Sequence, residues 1–195
     1  MRHSKYPINS LLLNRWSPRA MSGEGLTDEE LFPLFEAARW APSSYNGQPW
    51  RFLYAKRETK QWQALFDLLV PFNQSWTHKS AVLVLVLSHT VFEHNQKPAK
   101  THSFDTGAAW QNLALESSSR GIVAHGMQGF DYEKAKECFK IPDLFTVEAM
   151  IAIGKPGKKE DLPKETQKKE HPSDRKPLSE LIIDLNKSQA DVLSA

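Results

Sequence analysis

The chain has 195 residues, enough for one domain with a sizeable core, and its 40% apolar and 25% charged composition is ordinary for a soluble globular protein. Lys and Arg number 25 against 23 Asp and Glu, so the net charge of +2 is too balanced to argue for nucleic acid or an anionic membrane as a partner. Cys138 is the only cysteine, which excludes an intramolecular disulfide and a cysteine-based zinc site and fits a reducing, cytoplasmic setting.

The N-terminus, MRHSKYPINSLLLNRW, carries basic residues and a short apolar run at 11–13, too short for the core of a signal peptide. In NRWSPR, residues 14–19, Arg15, Ser17 and Arg19 alternate. In an extended segment such residues share one side, so two guanidinium forks and a hydroxyl would converge on one spot suited to a phosphate. The other reading is a solvated basic patch.

Residues 27–40 have helical periodicity. Thr27 and Glu30 form a capping box, and Leu31, Leu34, Phe35 and Ala38 fall on one face. Pro33 predicts a kink or a later start. APSSYNGQPW, residues 41–50, follows as a stiff loop, because Pro42 fixes its own φ and Pro49 restricts Gln48. Ser43, Ser44 and Asn46 offer donors and acceptors along its edge, suited to the rim of a planar heterocycle or simply to satisfying one another.

A strand is predicted at 51–56 and an amphipathic helix at 59–70, with Trp62, Leu65, Phe66 and Leu69 on one side. SAVLVLVLS at 80–88 is continuously apolar, as expected of a strand covered on both faces in the middle of a sheet. It is far short of the roughly 20 residues needed to cross a bilayer.

Residues 89–103 are polar and irregular; with the surroundings of Trp76 they are the expected rim of a pocket. His89, His94 and His102 fall in that stretch and read as solvated surface groups rather than metal ligands, while Phe92 and Phe104 would stack on an aromatic ligand or belong to the core. A long helix over 104–120 should end at Gly121.

A short strand at 122–124 leads into AHGMQGFD, residues 124–131, where Gly126 and Gly129 flank Met127 and Gln128. These glycines do not spell the dinucleotide fingerprint of a separate nucleotide domain. They do leave backbone N–H groups exposed near a helix start.

A helix over 131–139 carries Cys138 beside its apolar face, which suggests a structural thiol. A strand follows at 146–153. From 154 to 177 the chain is rich in Lys, Glu and Pro and should be extended and solvated, with Arg175 and Lys176 near its end. LSELIIDL then recovers apolar residues that would dock on something distant, such as a second subunit. The sum is an α+β domain with helices covering both faces of a small sheet.

Together, in this order, R-x-S-x-R, APSSYNGQPW, the apolar central strand, DTGAAWQNLALESSSRGI, GMQGFD, AMIAIGKPG and DRKPL resemble the FMN-dependent nitroreductases over about residues 12–180. The resemblance implies one FMN-binding domain spanning 1–195, with a polar connector at 154–177 and a tail at 178–195. It also implies a mixed or antiparallel sheet and an intertwined homodimer that exchanges its C-terminal extension and holds FMN at its interface.

Carried onto matching positions, Arg15, Trp16, Ser17 and Arg19 would hold the phosphate and adjoining parts of FMN, joined by Arg175. Pro42, Ser43, Ser44 and Asn46 would come from the other subunit to border the ring. Gln128 and Gly129 would face the ring near its reactive nitrogen, and Asn73 would meet its edge. Ser173 departs from the pattern, since many relatives have a basic residue there.

The implied activity is hydride transfer from NAD(P)H through FMN to a nitroaromatic, a quinone or a similar acceptor, with no catalytic side chain and no metal. Dehalogenation, enoate reduction, flavin fragmentation and flavin binding without turnover stay open. Hydrolysis by Ser43, Ser44 or Cys138 is disfavoured, because no G-x-S-x-G elbow surrounds either serine.

Overall fold

The structure, a computed structural model, describes residues 2–184. A one-turn helix, α1 (Ser10–Asn14), is capped by the Asn9 side chain accepting from the Leu11 amide. α2 (Asp28–Arg39) starts at the expected capping box: the Thr27 hydroxyl accepts from the Glu30 amide, and the Glu30 carboxylate accepts from the Thr27 amide. The helix runs through Pro33 rather than starting after it, held by the buried Leu31, Leu34 and Ala38 on one face. Packing outweighs the local penalty there.

β1 (Trp50–Lys56) leads to α3 (Lys60–Phe66) and α4 (Pro71–Thr77). The helix expected over 59–70 therefore ends early, at Phe66, and α4 is an additional helix beyond it. α3 ends before Asp67, and Pro71 opens a new helix, where its missing N–H costs nothing. β2 (Val82–His89), α5 (His102–Ser119), β3 (Val123–Met127), α6 (Tyr132–Phe139), β4 (Phe145–Gly154) and the short α7 (Lys164–Gln167) complete the order. Gly121, after α5, has φ +68, as a helix-ending glycine should. Among the described residues no helix is long and apolar enough to cross a membrane.

The four strands pair in the order β1-β2-β4-β3, all antiparallel, so the mixed alternative is dropped. β2 is central and its residues alternate between two cores. Leu83, Leu85 and Leu87 face Trp62, Leu65, Trp76 and Met150 beneath α3, α4 and α6. Val82, Val84 and Val86 face Leu31, Leu34, Ala109, Leu113 and Ile151 beneath α2 and α5. A period of two, with both faces apolar, is what made this stretch read as continuous. The β2–β4 register shifts once. Val86 pairs with Ala149 and Leu87 with Val147, so Glu148 is the extra residue of a β-bulge.

The polar connector is less solvated than its composition predicts. Leu162, Thr166 and Glu170 are buried. It is anchored where Met21 pairs with Pro156 and the Gly157 amide donates to the Ala20 carbonyl at 3.0 Å. A Cβ at Gly157 would overlap the Met21 backbone. Gly157→Ala is therefore expected to cost about 1–3 kcal/mol as the two segments part. An unchanged urea midpoint would contradict this packing.

Two side chains sit differently from expectation. Cys138 is exposed, not packed against the apolar face of α6. Trp76 is 1% exposed and lies in the core rather than at a pocket rim. Neither shift is visible in local periodicity, because both depend on what packs against the helix.

Candidate functional site

The segment between α1 and α2 is extended and alternates as its sequence predicts. Arg15, Ser17 and Arg19 line one cavity of about 410 Å³, while Pro18 and Ala20 line another on the opposite side. Trp16 touches both. Arg15 Nη1 donates to Ser17 Oγ at 3.2 Å, which fixes the first fork. Arg19 lies over the Trp76 ring, 5.9 Å from its centroid, and its Nε is buried with no hydrogen-bond partner among the described residues.

Arg175 reaches the same cavity from the far end of the connector, donating to Ser173 Oγ at 3.2 Å. Arg2 and Lys169 complete five cationic side chains lining this cavity, and among the described residues no carboxylate lines it. Burial first, then Arg175 and Arg2, pull the Arg15 guanidinium below its ordinary value, yet it stays protonated across the physiological range. Positive charge gathered without a counter-charge is the donor chemistry of an anion site. A phosphate monoester fits this set, and Arg19 Nε is a buried donor that it would satisfy.

The backbone of this segment is stapled from behind. Glu170 is buried, and its carboxylate accepts from the Arg19 amide at 2.9 and 3.1 Å and from the Ala20 amide at 2.9 Å.

His125, on β3, also lines the basic cavity. Its Nδ1 lies 3.0 Å from the Pro18 carbonyl, which only accepts, so Nδ1 carries the hydrogen. Burial lowers its pKa, opposed by that hydrogen bond and reinforced by Arg19. The folded state thus prefers neutral imidazole, whereas the unfolded chain titrates near 6.5. Below pH 6.5 the unfolded state binds a proton that the folded state declines, so this contribution to stability is present above pH 6.5 and lost as the pH falls toward the depressed folded value. Urea midpoints measured from pH 7.5 to 5.5 should fall more in the native chain than in His125→Gln. Parallel curves would remove this role.

A second cavity, of about 500 Å³, shares Arg15 and Ser17 with the first and is bounded by Trp110, Gly126, Gln128 and Ala149. Gly126 lets the Trp110 ring lie close, because a Cβ would stand 3.1 Å from Trp110 Cζ2. The adjoining Gly129 turn is tied down on its other side. Asn73 Nδ2 donates to the Gly129 carbonyl at 3.0 Å, as does the Val70 amide at 3.1 Å. A Cβ on Gly129 would meet Asn73 Nδ2 at 2.8 Å. Asn73 is buried and shapes this turn.

Of the residues singled out from sequence, Arg15, Trp16, Ser17, Arg19 and Arg175 come together at the basic cavity, and Gln128 at its neighbour with Gly129 alongside. Pro42, Ser43, Ser44 and Asn46 line neither cavity. Their loop sits at the start of α5, where the Ser44 amide donates to Asp105 at 3.0 Å. Nearby, Trp40, Tyr45 and Phe104 are 72%, 85% and 81% exposed, so Phe104 is not part of the core.

His89 bonds the Val91 carbonyl through Nδ1, and His102 contacts Ser88, so neither is simply solvated. Sequence reasoning missed Arg2, Lys169, His125 and Trp110. Lys169 was hidden in a charge run. His125, a lone imidazole in an apolar strand, was the one with a readable signal.

The nitroreductase family model matches residues 12–155. A solved structure described as an oxidoreductase containing FMN is 41% identical, with a TM-score of 0.90 over 96% of each chain. Protein DrgA of Synechocystis sp. is 30% identical over 187 residues, covering 80% of this chain and 85% of its own length. An uncharacterized 15.4 kDa protein of Mycolicibacterium smegmatis is 34% identical over 86 residues, 44% of this chain and 56% of its own length.

Proposed function

The chain belongs to the nitroreductase family of oxidoreductases, and from that premise we propose that it is a cytoplasmic FMN enzyme that takes hydride from NAD(P)H and passes it to a small nitroaromatic, quinone or similar acceptor. The observation that carries this reading is that the two cavities adjoin across shared walls. Arg15 and Ser17 border both the cation-rich one and its wider, aromatic-edged neighbour. A phosphate and a flat ring, linked by a short chain, match that pair of spaces.

Arg15, Arg19, Arg175 and Ser17 would hold the phosphate, with Arg2 and Lys169 adding charge. Trp16 would pack beside them. Gln128 and Gly129 would face the ring near its reactive nitrogen, on a turn that Asn73 keeps rigid. When bound, FMN supplies two-electron redox chemistry, and the protein binds, orients and tunes it. A preorganised backbone N–H such as that of Gly129 would favour negative charge developing beside it. No side-chain acid or base is assigned to hydride transfer.

The loop at Pro42, Ser43, Ser44 and Asn46 lies away from both cavities of its own chain. We assign it to the ring of a second copy in a homodimer, with the exposed Trp40, Tyr45 and Phe104 at the contact. The C-terminal extension would be exchanged in that dimer; residues 185–195 of it lie outside the described residues. The whole chain is read as one domain.

Purified protein should be yellow, carry about one FMN per chain and bleach anaerobically on addition of NADH or NADPH. Colourless protein that gains no absorbance with added FMN would end this reading. Mixing the reduced protein with nitroaromatics, quinones and oxygen in stopped flow separates it from dehalogenation, enoate reduction, flavin fragmentation and mere flavin storage.

A further inference from the structure

We propose that the cavity between α5 and the β-bulge of β4 is a recognition subsite for a small ring compound bearing a protonated amine or another N–H donor. The cavity measures about 130 Å³, roughly enough for a single six-membered ring. It shares Trp110, Gly126 and Ala149 with the wider cavity described above. On the proposed function, it is therefore the acceptor's end of the site, and the assignment of substrate class rests on that reading.

The bulge creates the site. Val147 packs in the core under α6, and strict alternation would return Ala149 to the same face. The extra residue, Glu148, turns Ala149 toward α5, so that Glu148 and Ala149 line the cavity side by side. Bulges re-aim side chains in this way and gather beside functional sites.

The carboxylate is held on one oxygen only. Ser103 Oγ donates to Glu148 Oε1 at 2.7 Å, and Ser88 Oγ donates to the same atom. His102 Nδ1 stands 2.7 Å from Ser88 Oγ and 3.5 Å from Oε1. Glu148 Oε2 makes no hydrogen bond among the described residues, so an oriented acceptor remains unspent.

A second polar group points to the same conclusion. Thr106 is 2% exposed and lines this cavity, yet its Oγ1 is buried with no hydrogen-bond partner among the described residues. Buried hydroxyls are normally paired, so this one, beside a cavity, is left to pair with an ordered water or a ligand group. Ser103 also lines the cavity, but its hydroxyl is spent on Glu148, and the other walls, including Val86, Trp110 and Ile151, are apolar. Apolar walls with two placed polar groups favour a flat ring carrying a donor, and the carboxylate selects a cation over an anion.

The test is calorimetric titration of the purified protein, as isolated, with benzylammonium and with anisole, a neutral ring of similar size that only accepts. Benzylammonium should bind at least tenfold tighter to the native chain. Glu148→Gln should bring the two within about threefold. Equal binding by the native chain, or a preference that survives in Glu148→Gln, overturns the proposal.

Gly107→Ala guards against a folding failure in that variant. Gly107 lies in α5 and lines the cavity, and an added Cβ would meet nothing within 4 Å. Alanine should leave the melting temperature equal or higher yet weaken benzylammonium at least fivefold; unchanged binding counts against the subsite. Flavin absorbance of the same samples judges the proposed function separately. Protein without flavin would end that reading, while the titration still decides the subsite.

Discussion

Arg15→Ala should purify nearly colourless, its affinity for FMN down about 10- to 100-fold. A hydrogen bond to a charged group is worth roughly 1.5–3 kcal/mol, and every 1.4 kcal/mol is about a decade in affinity. Arg15 borders both cavities, so on the proposed reading its loss would remove a ligand of the phosphate and open the wall they share. Arg19→Ala should behave alike, since it removes the buried Nε that has no partner of its own. Arg39→Ala is the control: that side chain is 55% exposed and pairs with Glu36 on α2. Flavin absorbance per chain, followed by titration of stripped protein with FMN, reads all three. A full flavin complement in Arg15→Ala would remove the assignment of the basic cavity.

Glu170→Ala should be the most destabilising change outside the sheet core. It leaves the Arg19 and Ala20 amides without their acceptor in a buried place. Two such bonds to a carboxylate imply a loss of about 3 kcal/mol, or roughly 6–12 °C in melting temperature for a chain of this size. Glu170→Gln keeps one side-chain oxygen as an acceptor and should lose about half as much. Because these amides belong to the extended segment that carries the proposed phosphate-binding arginines, FMN affinity should fall with stability. A melting temperature unchanged by Glu170→Ala would show that the connector does not hold that segment.

The two changes bear on different parts of one device. The arginines make the charge, and Glu170 fixes the backbone from which they project. A negative side chain close to an anion site opposes binding unless it is spent. Here it is spent on backbone amides and lies on the far side of the segment, where it lines the opposite cavity with Pro18 and Ala20.

Local rules determined a good deal by themselves. The capping box at Thr27 and Glu30, the helix end at Gly121 and the central position of β2 follow from a few residues each, because hydrogen bonds three apart and a period of two are settled within one element. So is the gathering of Arg15, Ser17 and Arg19 on one side, which needs only an extended backbone. Tertiary structure decided the rest. Glu170 reaches Arg19 across 151 positions, His125 meets Pro18 across 107, and the register shift that exposes Glu148 exists only between paired strands. No window of sequence contains both members of such a contact. Their positions are set by which apolar faces must be buried together, and that balance belongs to the whole chain.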